Sequence, residues 1–366
     1  MLNGKTIAVI VPAYNEEAQI GMVIETMPIF VDKIIIVNDC SKDNTSDIVK
    51  SYWNNELNKG ILIENTTLLP IEGRYHRAGR LLQKQAIAEL DLFLPSKVEN
   101  QSPENERIIL INQLKNGGVG SSIARGYKWC KDYGIDVSAV MAGDGQMDPD
   151  ELESICNPVV FENVDYVKGN RLIHRSALLV IPKVRYFGNS VLSILTKLAS
   201  GYWHVSDTQT GYTAIGNKAL NSIRIYDIFK SYGMPNDMLV KLNIAMCSLK
   251  EVEIKPIYDI GEQSKMKIWK VIPRITWLLF KSFFKRLWLK YFFRDFHPLF
   301  ILYHISFVLG IISLPLLYKV TKLTIIGKDV NPVTLLALVF LLISSLQSLL
   351  FAMWMDIQDN ERLYKN

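Results

Sequence analysis

The sequence predicts an α/β protein with a largely parallel sheet, continued by a membrane-bound C-terminal part. Two observations predict it. Four times along the chain, a short β-branched run passes through a polar or glycine-rich turn into a stretch with helical periodicity. Beyond about Lys265 the composition changes, first to basic residues interleaved with aromatics and then to long uncharged apolar runs. Strands alternating with helices imply right-handed βαβ units, and the ligand site of such a sheet lies beyond the carboxyl ends of its strands.

The first unit, "KTIAVIVPAYNEE", is an apolar run that ends at Pro12 in a polar turn, and "EEAQIGMVIETM" continues it as a helix. In the second, "VDKIIIVNDCSKDNTSDIVKSYW", Asn44, Thr45 or Ser46 can cap the helix. Residues 58–106 read as an insertion with a short strand, "ILIE", a helix, "AGRLLQKQAIAELDLFL", and a polar end, "SKVENQSPENE". Its role is open between a surface excursion, a lid and a contact between copies in a homo-oligomer. "ERIILINQLKNGGVGSSIARGYKWC" is the third unit and "VSAVMAGDGQMDPDELESI" the fourth. Pro12, Asn38, Asp39, Asn112 and Asp144 all fall at strand ends, so they are expected to converge on one cleft.

Leu299 to Tyr318 and Val333 to Met355 carry no formal charge, and each is long enough to span a hydrocarbon core. They read as a two-helix hairpin. The preceding stretch interleaves Lys270, Arg274, Lys281, Lys285, Arg286, Lys290 and Arg294 with Trp269, Trp277, Phe283, Phe284, Trp288, Tyr291 and Phe292. That pattern marks amphipathic helices at the cytoplasmic membrane surface, although Lys319, Lys322 and Lys328 in the connecting loop dilute the charge asymmetry. The N-terminus turns polar too soon for a secretory leader, so the large N-terminal part is expected in the cytosol. The chain then divides into a soluble domain (1–265), juxtamembrane helices (266–297), a membrane hairpin (298–356) and a cytosolic tail (357–366). A net charge of +5, gathered mostly near the membrane, argues against nucleic acid as partner. Cys40, Cys130, Cys156 and Cys247 form no CxxC pair, which suits a reducing compartment and excludes a zinc motif.

Among the strand-end residues, Glu16 and Glu17 equally suit a helix first turn, and Asp39 equally suits an ordinary loop. The loop "MAGDGQMDPDEL" carries more information. Asp148, Pro149, Asp150 and Glu151 read as a helix start with its cap, leaving Asp144 and Gln146 to face a divalent cation and a diphosphate.

The motifs "VPAYNEE", "IIIVNDCSKDNT", "GGVGSSIARGY", "MAGDGQMDPDEL", "VKGNR" and "SDTQTGYTAI" follow in the order and approximate spacing of family 2 glycosyltransferases with the GT-A fold. With its juxtamembrane helices and hairpin, the chain most resembles the polyprenyl-phosphate glycosyltransferases, the group of dolichyl-phosphate mannose synthase and the bacterial undecaprenyl-phosphate sugar transferases. The resemblance implies a Rossmann-like GT-A domain that moves one sugar from a UDP- or GDP-linked donor to a polyprenyl phosphate, with inversion. It assigns Pro12, Ala13, Tyr14, Glu16 and Asp39 to the nucleoside. The metal motif, Asp-x-Asp-x-Gln in the family, aligns with Ala142 to Gln146 and lacks its first acid, so Asp144 and Gln146 alone would hold Mg²⁺ or Mn²⁺. Arg171, Asp207 and Gln209 are implied on the acceptor side, and "GEQSKMK" adds Ser264, Lys265 and Lys267 as phosphate contacts. Asp144 and Arg171 are the implied catalytic residues. Asp237 joins them if the acceptor is the hydroxyl of a lipid-linked sugar, which needs a base. A nucleotide-sugar-binding membrane protein without catalysis is the remaining reading, motivated by Ala142.

Overall fold

The computed structural model describes residues 1–71, 73, 75–257 and 268–365. In chain order its strands are β1 (Ile7–Ala13), β2 (Lys33–Asn38), β3 (Ser96–Val98), β4 (Ile108–Gln113), β5 (Val137–Val140), β6 (Tyr166–Asn170), β7 (Thr213–Gly216) and β8 (Leu249–Glu253). The α-helices are α1 (Ile20–Glu25), α2 (Thr45–Ser51), α3 (Arg77–Ala88), α4 (Val119–Asp132), α5 (Leu152–Phe161), α6 (Ala177–Val180), α7 (Lys183–Ser200), α8 (Asn217–Ser222), α9 (Met234–Ile244), α10 (Ile268–Trp288), α11 (Pro298–Ile325) and α12 (Pro332–Glu361).

The strands form one sheet in the order β3-β4-β2-β1-β5-β7-β6-β8. β4, β2, β1 and β5 are mutually parallel; β7 runs antiparallel to both β5 and β6, and β8 lies parallel to β6. This is the mainly parallel α/β sheet expected of a GT-A domain. Its central strands read as unbroken apolar runs because both faces are covered: Ile34 to Val37 and Ile108 to Ile111 have no exposed surface. One apolar layer, around Tyr127 and Leu239, lies on one face, and a second, around Ile24 and Leu152, lies on the other. With β7 the exception between them, β1, β2, β4, β5 and β6 deliver their carboxyl ends to the same edge.

The insertion differs from its sequence reading. The stretch "ILIE" is not a strand; it runs beside residues 104–106, with the Gly60 N–H donating to Asn105 O and the Ile63 N–H to Glu104 O. The strand lies in the part read as a polar end, where β3 extends the sheet antiparallel to β4. The Asn100 side chain secures it by accepting from Leu110 N–H (2.7 Å) and donating to Ile108 O (2.8 Å). Helix α3 forms as expected. Helices α6 and α7, which the sequence reading did not resolve, carry exposed Leu178, Leu179, Phe187 and Ile194.

Among the described residues two helices, α11 and α12, are long and apolar enough to cross a membrane. Their attachment to the soluble domain corrects the reading of the basic residues before them. Arg286 and Lys290, expected at the membrane surface, have no exposed surface. Arg286 donates both guanidinium arms to Asp356 of α12 (2.7 Å each) and also reaches Leu198 O and Ala199 O at the end of α7. Lys290 bonds Asn360 (2.6 Å) and Asn243 (3.1 Å). Helical spacing shows that basic residues share a stripe; it cannot show that acids some seventy residues later will cover part of that stripe. The segment read as a tail is also docked, because α12 continues to Glu361 and Leu363 is buried in the core. Leu249 N–H donates to Leu363 O (2.7 Å), and Lys365 N–H donates to Leu249 O (2.8 Å), along β8.

Removing one partner of a buried pair leaves the other charge uncompensated, at a cost of about 3–5 kcal/mol. Arg286→Ala should therefore lower the thermal midpoint of the detergent-solubilised chain sharply. Lys285→Ala, whose contact with Asp227 is half exposed on both sides, should change stability by no more than about 1 kcal/mol.

Candidate active site

The turn after β1 and the turn after β2 are tied to each other. Asn15, at a left-handed φ of 55°, donates its N–H to Ser41 Oγ (2.9 Å) and accepts from Lys42 N–H (2.8 Å) on its side chain. Glu16 N–H donates to Thr45 Oγ1 (3.0 Å), and Glu17 accepts from Asn44 N–H (3.0 Å). Helix α1 starts only at Ile20, so Glu16 and Glu17 precede it and do not occupy its first turn. Asn44, one of the expected caps, holds the N-cap position of α2 without a side-chain hydrogen bond to the helix; the Asp43 carboxylate supplies that bond, accepting from Thr45 N–H (3.1 Å). Pro12 and Ala13 lie where β1 ends, with Pro12 O accepting from Gly143 N–H and Ala13 O from Asp39 N–H. Tyr14 and Glu16 follow, both half-buried.

Asp39 faces inward. Its two carboxylate oxygens accept from Gly117 N–H (2.7 Å) and Gly118 N–H (2.8 Å), so it organises the glycine turn that opens α4. Burial pushes its pKa up, and the two N–H bonds offset only part of that. The glycine turn is pressed in turn against the Phe229–Lys230 backbone. Gly120 N–H donates to Lys230 O (3.1 Å), and a Cβ on Gly120 would stand 2.0 Å from Phe229 O. Phe229 N–H then donates to Asp237 Oδ2 (2.9 Å), which also accepts from Lys241 Nζ (2.5 Å). Asp237 is thus placed by two donors on one oxygen, as an anchor of the 229–230 turn.

Asp144 and Gln146 share a tight turn in which Asp144 Oδ1 accepts from Gln146 N–H (3.1 Å), with Gly145 at φ 75° between them. Met141 and Gly143 hold the front of this loop to β1 through Ile10 O and Pro12 O. Asp148 caps the following helical turn by accepting from Asp150 N–H (3.0 Å). Carboxylate and amide oxygens on one turn fit a hard divalent cation in chemistry. They do not complete its shell: among the described residues no group of three or more His, Cys, Asp or Glu could hold a metal.

Beside the end of β6 the sheet brings together residues far apart in sequence. Arg171, just past β6, makes a bidentate pair with Asp207 through Nε (2.8 Å) and a terminal nitrogen (3.2 Å). Asp207 is fully buried, whereas 22 % of the Arg171 side chain is exposed, so the pair shows solvent its cationic half. Burial pushes Asp207 up, but the Arg171 charge and hydrogen bonds, helped by Lys168, outweigh it and hold the carboxyl below its ordinary range. Burial also brings Lys168 down to about 8 against the opposing pull of Asp207 and Glu251. Gln209 turns away towards α9, donating to Asn236 Oδ1 (2.9 Å). The 207–212 loop links both halves of the site, since Tyr212 donates its hydroxyl to Asp148 O (2.9 Å). Ser264, Lys265 and Lys267 lie outside the described residues. The sequence reading missed Lys168, inside the quoted "VKGNR", and Glu251; a lysine and a glutamate flanked by strand-forming residues were the available signals.

The family model for glycosyl transferase family 2 matches residues 8–68. The UDP-N-acetylglucosamine–dolichyl-phosphate N-acetylglucosaminyltransferase of Methanococcus voltae is 29% identical over 256 residues, covering 69% of this chain and 86% of that one. The undecaprenyl-phosphate mannosyltransferase of Micrococcus luteus is 24% identical over 141 residues, or 38% of this chain and 57% of its own. Among solved structures, glucosyl-3-phosphoglycerate synthase of Mycobacterium tuberculosis, in complex with Mn²⁺, UDP and glucosyl-3-phosphoglycerate, matches 77% of this chain and 80% of that chain at 15% identity and a TM-score of 0.46. Residues 8–68 thus match a glycosyl transferase family 2 domain, and the relatives named here that match beyond them transfer sugars to polyprenyl phosphates.

Asp39→Asn retains one acceptor oxygen and turns an amide donor towards the second glycine N–H. An unsatisfied buried donor costs about 1–3 kcal/mol, so this substitution should lower the denaturant midpoint. Asp47→Asn on the exposed face of α2 should stay within about 0.5 kcal/mol of the unaltered chain.

Proposed function

We propose that this family 2 glycosyltransferase moves one sugar from a nucleotide sugar to a polyprenyl phosphate at a membrane surface. The observation that carries the reading is the state of Asp237. A sugar hydroxyl needs a general base, and Asp237, the base candidate, already accepts from Phe229 N–H and the Lys241 ammonium on one oxygen. A phosphate monoester is anionic at neutral pH and needs positioning and a cation instead. Arg171 supplies the planar guanidinium suited to that task, on a rigid buried carboxylate. It stands just before α6, whose exposed Leu178 and Leu179 suit contact with lipid beside the headgroup.

The phosphate oxygen forms a bond to the anomeric carbon as the bond from that carbon to the nucleotide's terminal phosphate oxygen breaks. The electron pair leaves on the diphosphate, no proton need move, and the carbon is inverted. Tyr14 and Glu16, with the backbone of Pro12 and Ala13, line the nucleoside end; Asp39 acts there through the glycine turn it holds. Asp144 and Gln146 would hold Mg²⁺ or Mn²⁺ together with the donor diphosphate, where the ion supplies charge stabilisation for the leaving nucleotide. The hairpin crosses the membrane twice with the sheet domain on the cytosolic side, in keeping with the basic residues of α10. Transfer to a hydroxyl of a lipid-linked sugar is the second reading.

Loss of a general base costs about 10²–10⁴ in rate. Asp237→Asn, assayed per folded molecule with polyprenyl phosphate, should instead keep kcat within about tenfold; a loss of several hundredfold would favour the hydroxyl reading. Asp144→Asn should abolish transfer, and an unchanged rate would remove Asp144 from the site. Calorimetric titration of the nucleotide-free chain with Mn²⁺ should show no tight binding, with affinity appearing once UDP or GDP is added; tight binding without nucleotide would contradict the two-residue donor set.

A further inference from the structure

Glu251 lies on β8 directly beside Lys168 of β6 in the sheet register. Its carboxylate accepts from Ser206 N–H (3.0 and 2.9 Å to the two oxygens) and from Asp207 N–H (3.1 Å). Those N–H groups belong to the loop that presents Asp207 to Arg171, and Asp207 in turn accepts from Gln209 N–H and Thr210 N–H (3.2 Å each). The loop's backbone is therefore pinned from below by Glu251 and from within by Asp207.

The same strand is seated by residues that follow the membrane hairpin. Leu249, two residues before Glu251, exchanges backbone hydrogen bonds with Leu363 and Lys365, and the Tyr364 ring rests 5.2 Å from that of His204. His204 stands two residues before Ser206. The end of α12 is fixed in its turn by Asn360, which bonds Lys290 and Asn243. A continuous set of contacts thus runs from the hairpin through segment 363–365 and β8 to the loop that holds the acceptor-side cation.

We infer that Glu251 is a positioning residue for the acceptor phosphate: by gripping Ser206 and Asp207 it fixes the loop that aims Arg171, and segment 363–365 holds β8 in place beneath it. The inference rests on the polyprenyl-phosphate reading. It requires a selective effect, because the hydrogen bonds that tie together the turns after β1 and β2 and the start of α4 are, among the described residues, made without Glu251 or segment 363–365.

The test uses the full chain in lipid nanodiscs, with undecaprenyl phosphate and whichever UDP- or GDP-sugar the unaltered chain turns over. Glu251→Gln should raise the KM for undecaprenyl phosphate by at least about tenfold, the loss expected for a hydrogen bond to a charged group, while the donor KM stays unchanged. The double variant Leu363→Ala, Tyr364→Ala should shift the acceptor KM in the same direction by a smaller factor, and it decides the matter if Glu251→Gln does not fold. An unchanged acceptor KM, or equal rises in both KM values, would overturn the inference. No transfer by the unaltered chain to either undecaprenyl phosphate or dolichyl phosphate would overturn the reading beneath it.

Discussion

The site beside the end of β6 depends on one buried carboxylate. Asp207 has no solvent contact, and a charge in that position persists only if it is paired and hydrogen-bonded. Arg171 provides the pairing, its own backbone N–H adds a further bond (3.2 Å), and Lys168 lies beneath. The consequence is a guanidinium whose position is set by the sheet and not by its own flexible stem. Such pre-organisation suits a reaction in which the nucleophile is already ionised and the protein's main contribution is alignment.

A second constraint governs the opposite end. Asp39, whose carboxylate reaches Gly117 and Gly118, makes the turn before α4 rigid, and that turn bears on Phe229 and Lys230, which Asp237 anchors. Asp39 and Asp237 are therefore parts of one scaffold joining the turn after β2 to α9. The Asp144 turn sits between this scaffold and Arg171, held to β1 on one side and to Tyr212 on the other. Strand β7, antiparallel between β5 and β6, sets the spacing of the Asp144 turn and Arg171.

Most of the fold was legible because β1, β2 and β4 are covered on both faces and so appear as continuous apolar runs. Strand β3 was missed: "SKV" has no apolar pattern of its own and is a strand by virtue of its pairing with β4. Helices α6 and α7 were obscured because their exposed side is apolar, which blurs the polar face that normally reveals an amphipathic helix. Charge misled the reading at Arg286 and Lys290, where spacing matched an interfacial helix and the partners, Asp356 and Asn360, lie some seventy residues later. At the site, the residue types at strand ends were readable. Their partners were not, since Asp39 meets glycines nearly eighty residues away and Glu251 acts on a loop more than forty residues before it.

The central claim is that the acceptor is a phosphate and not a hydroxyl. Its most direct test supplies the reconstituted chain with a labelled nucleotide sugar and, in parallel, with polyprenyl phosphate, the matching unphosphorylated polyprenol and a lipid-linked sugar, and identifies the product. The account predicts label on polyprenyl phosphate alone, as a lipid monophosphate sugar released by mild acid and inverted at the anomeric carbon. Label appearing as a lengthened glycan on the lipid-linked sugar would contradict it.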